Sequence, residues 1–503
     1  MSLSSTARPV PLWLLVGLQT AVSAASLTVE IVAGRVLAPH VGMSLYTWTS
    51  VIAVVLAGFS AGHWWGGRLA ERPAPDALRA TGWALIWAAL TTAVSISLLH
   101  LVATPVLDAV GHPVWGIAIL CALVFFLPSY FAGVPAPVLA QIAVTDNARS
   151  GQALGAIFAA GAIGAIAGTL LAGFLFISWL GSAGTLAAVT VTYLVTAALC
   201  FRLAGRGAWT LPALAGIGAV VLAGVALAAP APCDRESRYF CIRVLDMSAS
   251  PDHPVNLMVI DHLGHGMGAR DLPQVMFTEH AAMLKALATL RAPHDAFTSY
   301  HIGGGSYSVP RALADMGTGE ITVAEIDPEV TEVAAEDFWF DPASATIFHE
   351  DARRALLTRP DRHYDVILGD AFTDVAVPAH LVTREFFELV RDRLTPDGTY
   401  LMNVIDYEDR LDALASIVAT LREVFPVVEV WTHAAQPDPG ARMVFVVVAG
   451  QTPTEAGSLR APAPDQMVFA ALDPAFLTEI LSGKGLVLTD DYAPIDRLVG
   501  RPD

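Results

Sequence analysis

The sequence predicts a chain of two fold classes, a multi-helix transmembrane domain over residues 1–230 and then an α/β domain behind a small β-domain. Three observations predict it. Apolar runs of membrane-crossing length fill the first half while charges are few, strand-length runs alternate with helical ones after residue 297, and the composition changes at "AAPAPCDRES", where Pro230 and Pro232 end the last long helix. Mean hydropathy is +0.55 and only 15% of residues are charged, against about a quarter in soluble domains. The net charge of −18 argues against nucleic acid as a partner, because a phosphate-binding surface needs excess Lys and Arg.

About 20 apolar residues cross a hydrocarbon core as helix, and seven segments qualify: 10–36, 45–70, 80–105, 114–144, 150–179, 181–202 and 209–229. The fourth contains "FLPSYFAGVPAP" and is expected to kink or break. The fifth carries "GAIFAAGAIGAIAGTLLAG", whose small residues let helices approach closely. The first run is too long for a cleavable signal peptide. Glu30 and Arg35 are the clearest ionisable groups inside a span, followed by His63 and Arg68. An intramembrane carboxylate raises either ligand contact or pairing with a base on a neighbouring helix. Arg68, Arg72 and Arg79 flank the second loop, Arg149 lies in the fourth, and Arg202 and Arg206 flank the sixth. By the positive-inside rule these loops and the N-terminus face the cytoplasm, so a seventh crossing puts the C-terminal half outside. Cys233 and Cys241 could form a disulfide, which suits an oxidising compartment, or remain free thiols; Cys121 and Cys200 lie within spans. The expected location is therefore the bacterial inner membrane, multi-pass, with an extracytoplasmic C-terminal domain.

Residues 231–292 read as a small β-domain ("RYFCIRVLD", "VNLMVID") and a linking helix, "FTEHAAMLKALATL". From 293 to 503 the expected strands are 297–302, 321–326, 345–349, 364–369, 399–405, 427–433 and 442–449. Helices are expected at 307–316, 328–338, 383–394 and 408–424, making a mostly parallel sheet. Ligands of such sheets bind at the carboxyl ends of the strands. There Gly303, Gly304 and Gly305 end the first strand, where missing Cβ atoms admit a ligand to the backbone, and Ser306 can cap the next helix. "ITVAEID" ends the second strand in Glu325 and Asp327, placed to bond ribose hydroxyls. Asp351, followed by Ala352, comes just past the third strand; Asp370 is past the fourth, with Asp374 four residues on. A row of carboxylates on one rim is a site, although any one of them is also a candidate helix cap. Asp261 ends a β-domain strand toward the substrate side. The spacing of His262, His265 and His280 fits no standard metal motif, so they read as loop or pocket histidines, and no metal is expected.

These motifs, "HIGGGSYS", "VAEIDPEV", "HEDARRAL", "YDVILGDAF" and "LTPDGTYLMNV", resemble the spermidine synthase (polyamine aminopropyltransferase) family over about residues 235–496. The helical half, "ESRYFCIRV" and "LTDDYAPIDRL" are similar to its membrane-integrated bacterial branch. The resemblance implies a class I methyltransferase-like Rossmann fold, with decarboxylated S-adenosylmethionine as substrate, methylthioadenosine as product and a polyamine as acceptor. It implies that Gly303 to Gly305 line the nucleoside pocket, Glu325 holds the ribose, Asp351 with Ala352 meets the adenine, and Asp370 with Asp374 is catalytic. Tyr239, Asp261, His262, Glu279 and His280 fall where the substrate would bind.

The chain departs from the family pattern. Ser306 replaces an Asp that helps hold the aminopropyl ammonium, "DAFTD" shifts Asp374 by one residue, Phe240 follows Tyr239 where Gln is usual, and "FTE" at 277–279 replaces Tyr-His-Glu. Diamine recognition loses polar partners. Three readings stay open: aminopropyl transfer; cleavage of S-adenosylmethionine itself to methylthioadenosine and homoserine lactone, with methyl transfer a weaker variant of that class; and a transporter or sensor whose nucleoside domain only regulates. Oligomeric state is open.

Overall fold

The computed structural model describes residues 10–146, 148–205, 207–371, 377–461 and 467–499. The chain divides into two compact units, Met1–Cys241 and Ile242–Asp503.

The first unit is helical: α1 (Leu12–Val41), α2 (Leu45–Ala70), α3 (Ala74–Ala109), α4 (Pro113–Gly133), α5 (Pro135–Asp146), α6 (Ser150–Leu171), α7 (Ile177–Leu203) and α8 (Thr210–Ala228). The break anticipated in the fourth segment falls at Val134, ahead of Pro135. By length and composition six helical runs could cross a membrane, and the fifth is a run of 54 residues, Ser150–Leu203. At about 1.5 Å per residue that run is far longer than one crossing; a π turn at Ala172–Phe176 and Gly181 at φ 67° divide it. Glycines set the helix spacing. A Cβ on Gly164 or Gly168 would overlap the carbonyls of Thr20 and Ala24 on α1, and one on Gly62 or Gly66 would overlap Tyr130 and Val134.

Glu30 has no ion pair among the described residues. Arg35, 8% exposed, instead donates to the carbonyls of Ser237 (2.8 Å) and Tyr239. Glu236 accepts from the Ser182 N–H at 3.0 Å and from the Ser182 hydroxyl, and Cys233 and Cys241 form a disulfide. The Arg35 and Ser182 bonds hold Glu236, Ser237 and Tyr239 to the helices, and the disulfide closes residues 233–241 into a loop around the short strand β1 (Arg235–Glu236). The compact boundary therefore falls beyond the proline break.

The second unit opens with β2 (Cys241–Asp246), β3 (Val255–Ile260) and β4 (Leu263–Ala269), paired antiparallel in sequence order, followed by α9 (Glu279–Arg291). A large sheet follows, its strands and helices being β5 (Ser299–Ile302), α10 (Ser308–Met316), β6 (Ile321–Ala324), α11 (Pro328–Asp337), β7 (Thr346–Phe348), α12 (Ala352–Thr358), β8 (Tyr364–Gly369), α13 (Arg384–Arg391), β9 (Leu394–Tyr407), α14 (Asp412–Arg422), β10 (Val427–His433), β11 (Arg442–Gly450), β12 (Ser458–Arg460) and β13 (Val468–Ala471); α15 (Pro474–Ile480) and α16 (Ile495–Val499) end the chain's described part. The order is β12-β13-β10-β11-β9-β8-β5-β6-β7. Strands β7, β6, β5, β8 and β9 run parallel, whereas β9–β11, β11–β10, β10–β13 and β13–β12 are antiparallel. The sheet is therefore mixed rather than mostly parallel, because no helix separates β10 from β11 and a direct return reverses the strand. Phe386, Phe387, Tyr400, Ile417 and Val430 pack its core. The order changes direction at β5, flanked by β6 and β8, which is the switch point where such sheets take ligands.

Candidate active site

The register of β5 against β8 builds the site. Ile302 pairs with Gly369, so the next residues, Gly303 and Asp370, emerge side by side. The turn needs glycine. Gly303 has φ 90° and Gly305 φ 51°, and a Cβ on Gly303 would stand 2.7 Å from the Asp370 carbonyl oxygen. Beyond the turn, Ser306 is 3% exposed and Tyr307 takes the left-handed conformation that starts α10.

Glu325 closes the turn from β6. Its Oε2 accepts from the Gly304 N–H at 2.8 Å and its Oε1 from the Asp327 N–H at 2.9 Å, at 6% exposure. Burial outweighs these donors and pushes its pKa up to about 7.

Asp370 is anchored on one oxygen. Asn403 of β9 donates to Oδ1 at 2.8 Å, while Oδ2 lies 3.9 Å from His280 Nε2 at the start of α9. Asp370, His280, Gly303, Gly304 and Ser306 line one pocket together with His265 and His301. His265 Nδ1 lies 3.0 Å from the Leu263 carbonyl, and burial lowers its pKa. His301, 4% exposed and 3.1 Å from Ser299 Oγ, is lowered to about 3 by burial, so both rings are neutral. The lining thus offers, among the described residues, the Asp370 carboxylate, the neutral imidazoles of His265 and His301, the His280 ring and the hydroxyls of Ser306 and Ser308. Among the described residues no group of three His, Cys, Asp or Glu side chains could hold a metal.

The other expected residues are placed differently. Asp327 is 1% exposed and caps α11 through the Glu329 N–H; its carboxylate is used by the fold. Asp351 caps α12 through the Arg354 N–H at 2.9 Å and meets His380 Nε2 at 2.7 Å, and that imidazole holds its pKa low. Ala352 gives its carbonyl to the Tyr300 hydroxyl. Asp261 is buried at φ 53°, its carbonyl accepting from Arg243; His262 is half-buried, and burial lowers its pKa; Glu279 is exposed. Tyr239 belongs to the helical unit, and Asp374 lies outside the described residues. Asn403, His301 and His380 were missed by sequence reasoning. A lone amide inside the apolar run "YLMNVI" was the one signal available for Asn403.

A family model for the spermine/spermidine synthase domain matches residues 300–456. The polyamine aminopropyltransferase of Vibrio vulnificus is 30% identical over 213 residues, which cover 39% of this chain and 68% of that protein. The chain belongs to the spermine/spermidine synthase family. Polyamine aminopropyltransferase 2 of Streptomyces coelicolor, also similar, is 27% identical over 320 residues, covering 58% of this chain and 56% of its own length. A probable spermidine synthase from Corynebacterium glutamicum superposes with a TM-score of 0.43 at 23% identity, covering 51% of this chain and 96% of that one. Membership of the spermine/spermidine synthase family makes the chain an enzyme, a transferase of the aminopropyltransferase type.

Proposed function

We propose that the protein is a membrane-bound aminopropyltransferase that uses decarboxylated S-adenosylmethionine and releases methylthioadenosine. The nucleoside lies along the Gly303–Gly305 turn with its ribose hydroxyls on Glu325. The acceptor amine attacks the methylene next to the sulfonium: the C–N bond forms, the C–S bond breaks with its electron pair going to sulfur, and the amine proton passes to Asp370. A sulfonium is already an activated leaving group, so the protein supplies alignment and a base. The observation that carries this reading is the β5–β8 register, which sets Asp370 against the glycine turn in one pocket with Ser306.

Ser306 favours keeping one rival in the same experiment, because the pocket offers a hydroxyl where the family pattern has a carboxylate. Purified protein is incubated with S-adenosylmethionine, with or without prior decarboxylation, and with or without putrescine. Methylthioadenosine formed only from the decarboxylated compound with an amine supports transfer. Its release from S-adenosylmethionine alone would replace transfer by intramolecular cleavage, and tight binding without turnover would point to a regulatory domain.

The helical runs support membrane attachment by length and hydropathy. With Ser150–Leu203 counted as two crossings at Gly181, the total is odd. That parity, the arginine-rich even loops and the Cys233–Cys241 disulfide support an extracytoplasmic catalytic unit.

A further inference from the structure

The helical unit contains a cavity of about 430 Å³ that the proposed reaction does not use. Its walls come from α1, α2, α6 and the two sides of the α4–α5 break, and Gly133 and Pro137 line it at that break. Irregular backbone at membrane depth persists where it lines a cavity, and binding sites in bundles gather at such breaks. The lining is apolar apart from Gln19, Ser23, Ser26 and His63. Ser26 already donates to the Val22 carbonyl at 2.7 Å. Gln19 is only 7% exposed; its Nε2 donates to Ser23 Oγ at 3.0 Å, and its Oε1 has no hydrogen-bond partner. The two ends of an amide are interchangeable in orientation, so one polar end of this cavity-lining side chain is left without a hydrogen-bond partner either way. His63, stacked on Phe59 at 6.4 Å, lies on the same wall.

Among the described residues no Asp, Glu, Lys or Arg lines the space. A polyammonium or a sulfonium would lose its hydration there without compensation, so the cavity does not serve the charged reactants. We propose that it is a binding site for a neutral amphiphile: an apolar body against Val22, Ile157 and Phe158, and a hydroxyl on the Gln19 amide. A hydroxyl both donates and accepts, and so satisfies either orientation of that amide. The volume falls within the range of small-molecule sites, and a few convergent polar groups in an apolar wall are their usual chemistry. This site goes beyond the transfer reaction and does not depend on it.

The test is photolabelling of the full-length protein in lipid nanodiscs with 3-azioctanol, an octanol bearing a diazirine, with adducts located by mass spectrometry. The expected result is saturable labelling concentrated on α1 and α6 around the cavity, cut at least fivefold by Gln19→Leu while the melting temperature holds. Gly161→Leu fills the space from the opposite wall and gives the same loss, which keeps the test decisive should Gln19→Leu fold poorly. Competition by 1-octanol added to the buffer marks a soluble ligand, and competition by dioleoylglycerol in the disc marks a bilayer-resident one. Unsaturable labelling spread over outward residues such as Phe174 and Trp179, or labelling unchanged in both variants, would overturn the proposal and leave the cavity to water or lipid chains.

Discussion

Asp370 carries the proposed proton transfer because, among the described residues, a hydrogen bond ties down only one of its oxygens. Asn403 fixes Oδ1, and Oδ2 remains in the pocket near His280. Asp370→Asn keeps the shape and removes the base, so turnover falls by about 10²–10⁴ while methylthioadenosine binding, read by calorimetry, stays within a few fold. Glu325 gives the pH dependence. Its folded pKa of about 7 stands above the ordinary value of 4.5, so its proton is held more tightly in the folded state. That contribution to stability is full below about 4.5 and lost as pH rises through about 7. In the proposed complex the ionised form is the one that accepts from the ribose hydroxyls, so methylthioadenosine affinity is expected to rise as pH rises through the same value. Titration from about pH 4 to about 8.5 reads both slopes, and Glu325→Gln flattens both. Asp370 and Glu325 were legible because each ends an apolar run at a turn. His301 and Asn403 were not: His301 is one more residue of the buried strand β5, and Asn403 reaches Asp370 only because β9 pairs with β8. Asp351 and Asp327 were legible as acids, but the same local chemistry that makes acids good caps took up their carboxylates.

At the scale of elements, the turn after β5 works because Gly303 lacks a side chain where the Asp370 backbone just past β8 approaches. Gly303→Ala meets both a positive φ and the Asp370 carbonyl. The expected cost is about 1–3 kcal/mol, together with a loss of nucleoside affinity as Asp370 is pushed aside; chemical denaturation and calorimetry check the two. In the helical unit, Gly168→Leu drives α6 from the Ala24 carbonyl on α1, and the melting temperature in detergent falls. Buried strands announced themselves as short β-branched runs, and β5, β6, β8, β10 and β11 lie within a residue or two of where the sequence put them. Among the illegible parts were three short elements and the start of a fourth. α12 spans seven residues, too few for a period to show; β12 and β13, at one end of the sheet, have only three and four residues; and β9, expected from 399, begins at Leu394, through "TPDG", which reads as a turn in isolation.

The whole molecule joins an apolar helical unit to an acidic α/β unit, and composition alone marked the change. Composition could not place this compact boundary, because Arg35 and Ser182 hold the following residues to the helices. With the catalytic unit outside the cytoplasm, a C-terminal alkaline phosphatase fusion is active and a green fluorescent protein fusion dark; the reverse pattern would put the unit inside. The most direct test of the central claim is methylthioadenosine release by the purified full-length protein from decarboxylated S-adenosylmethionine and a diamine. The account predicts amine-dependent release that Asp370→Asn abolishes. Release that persists in that variant, or none from the wild type, would contradict it.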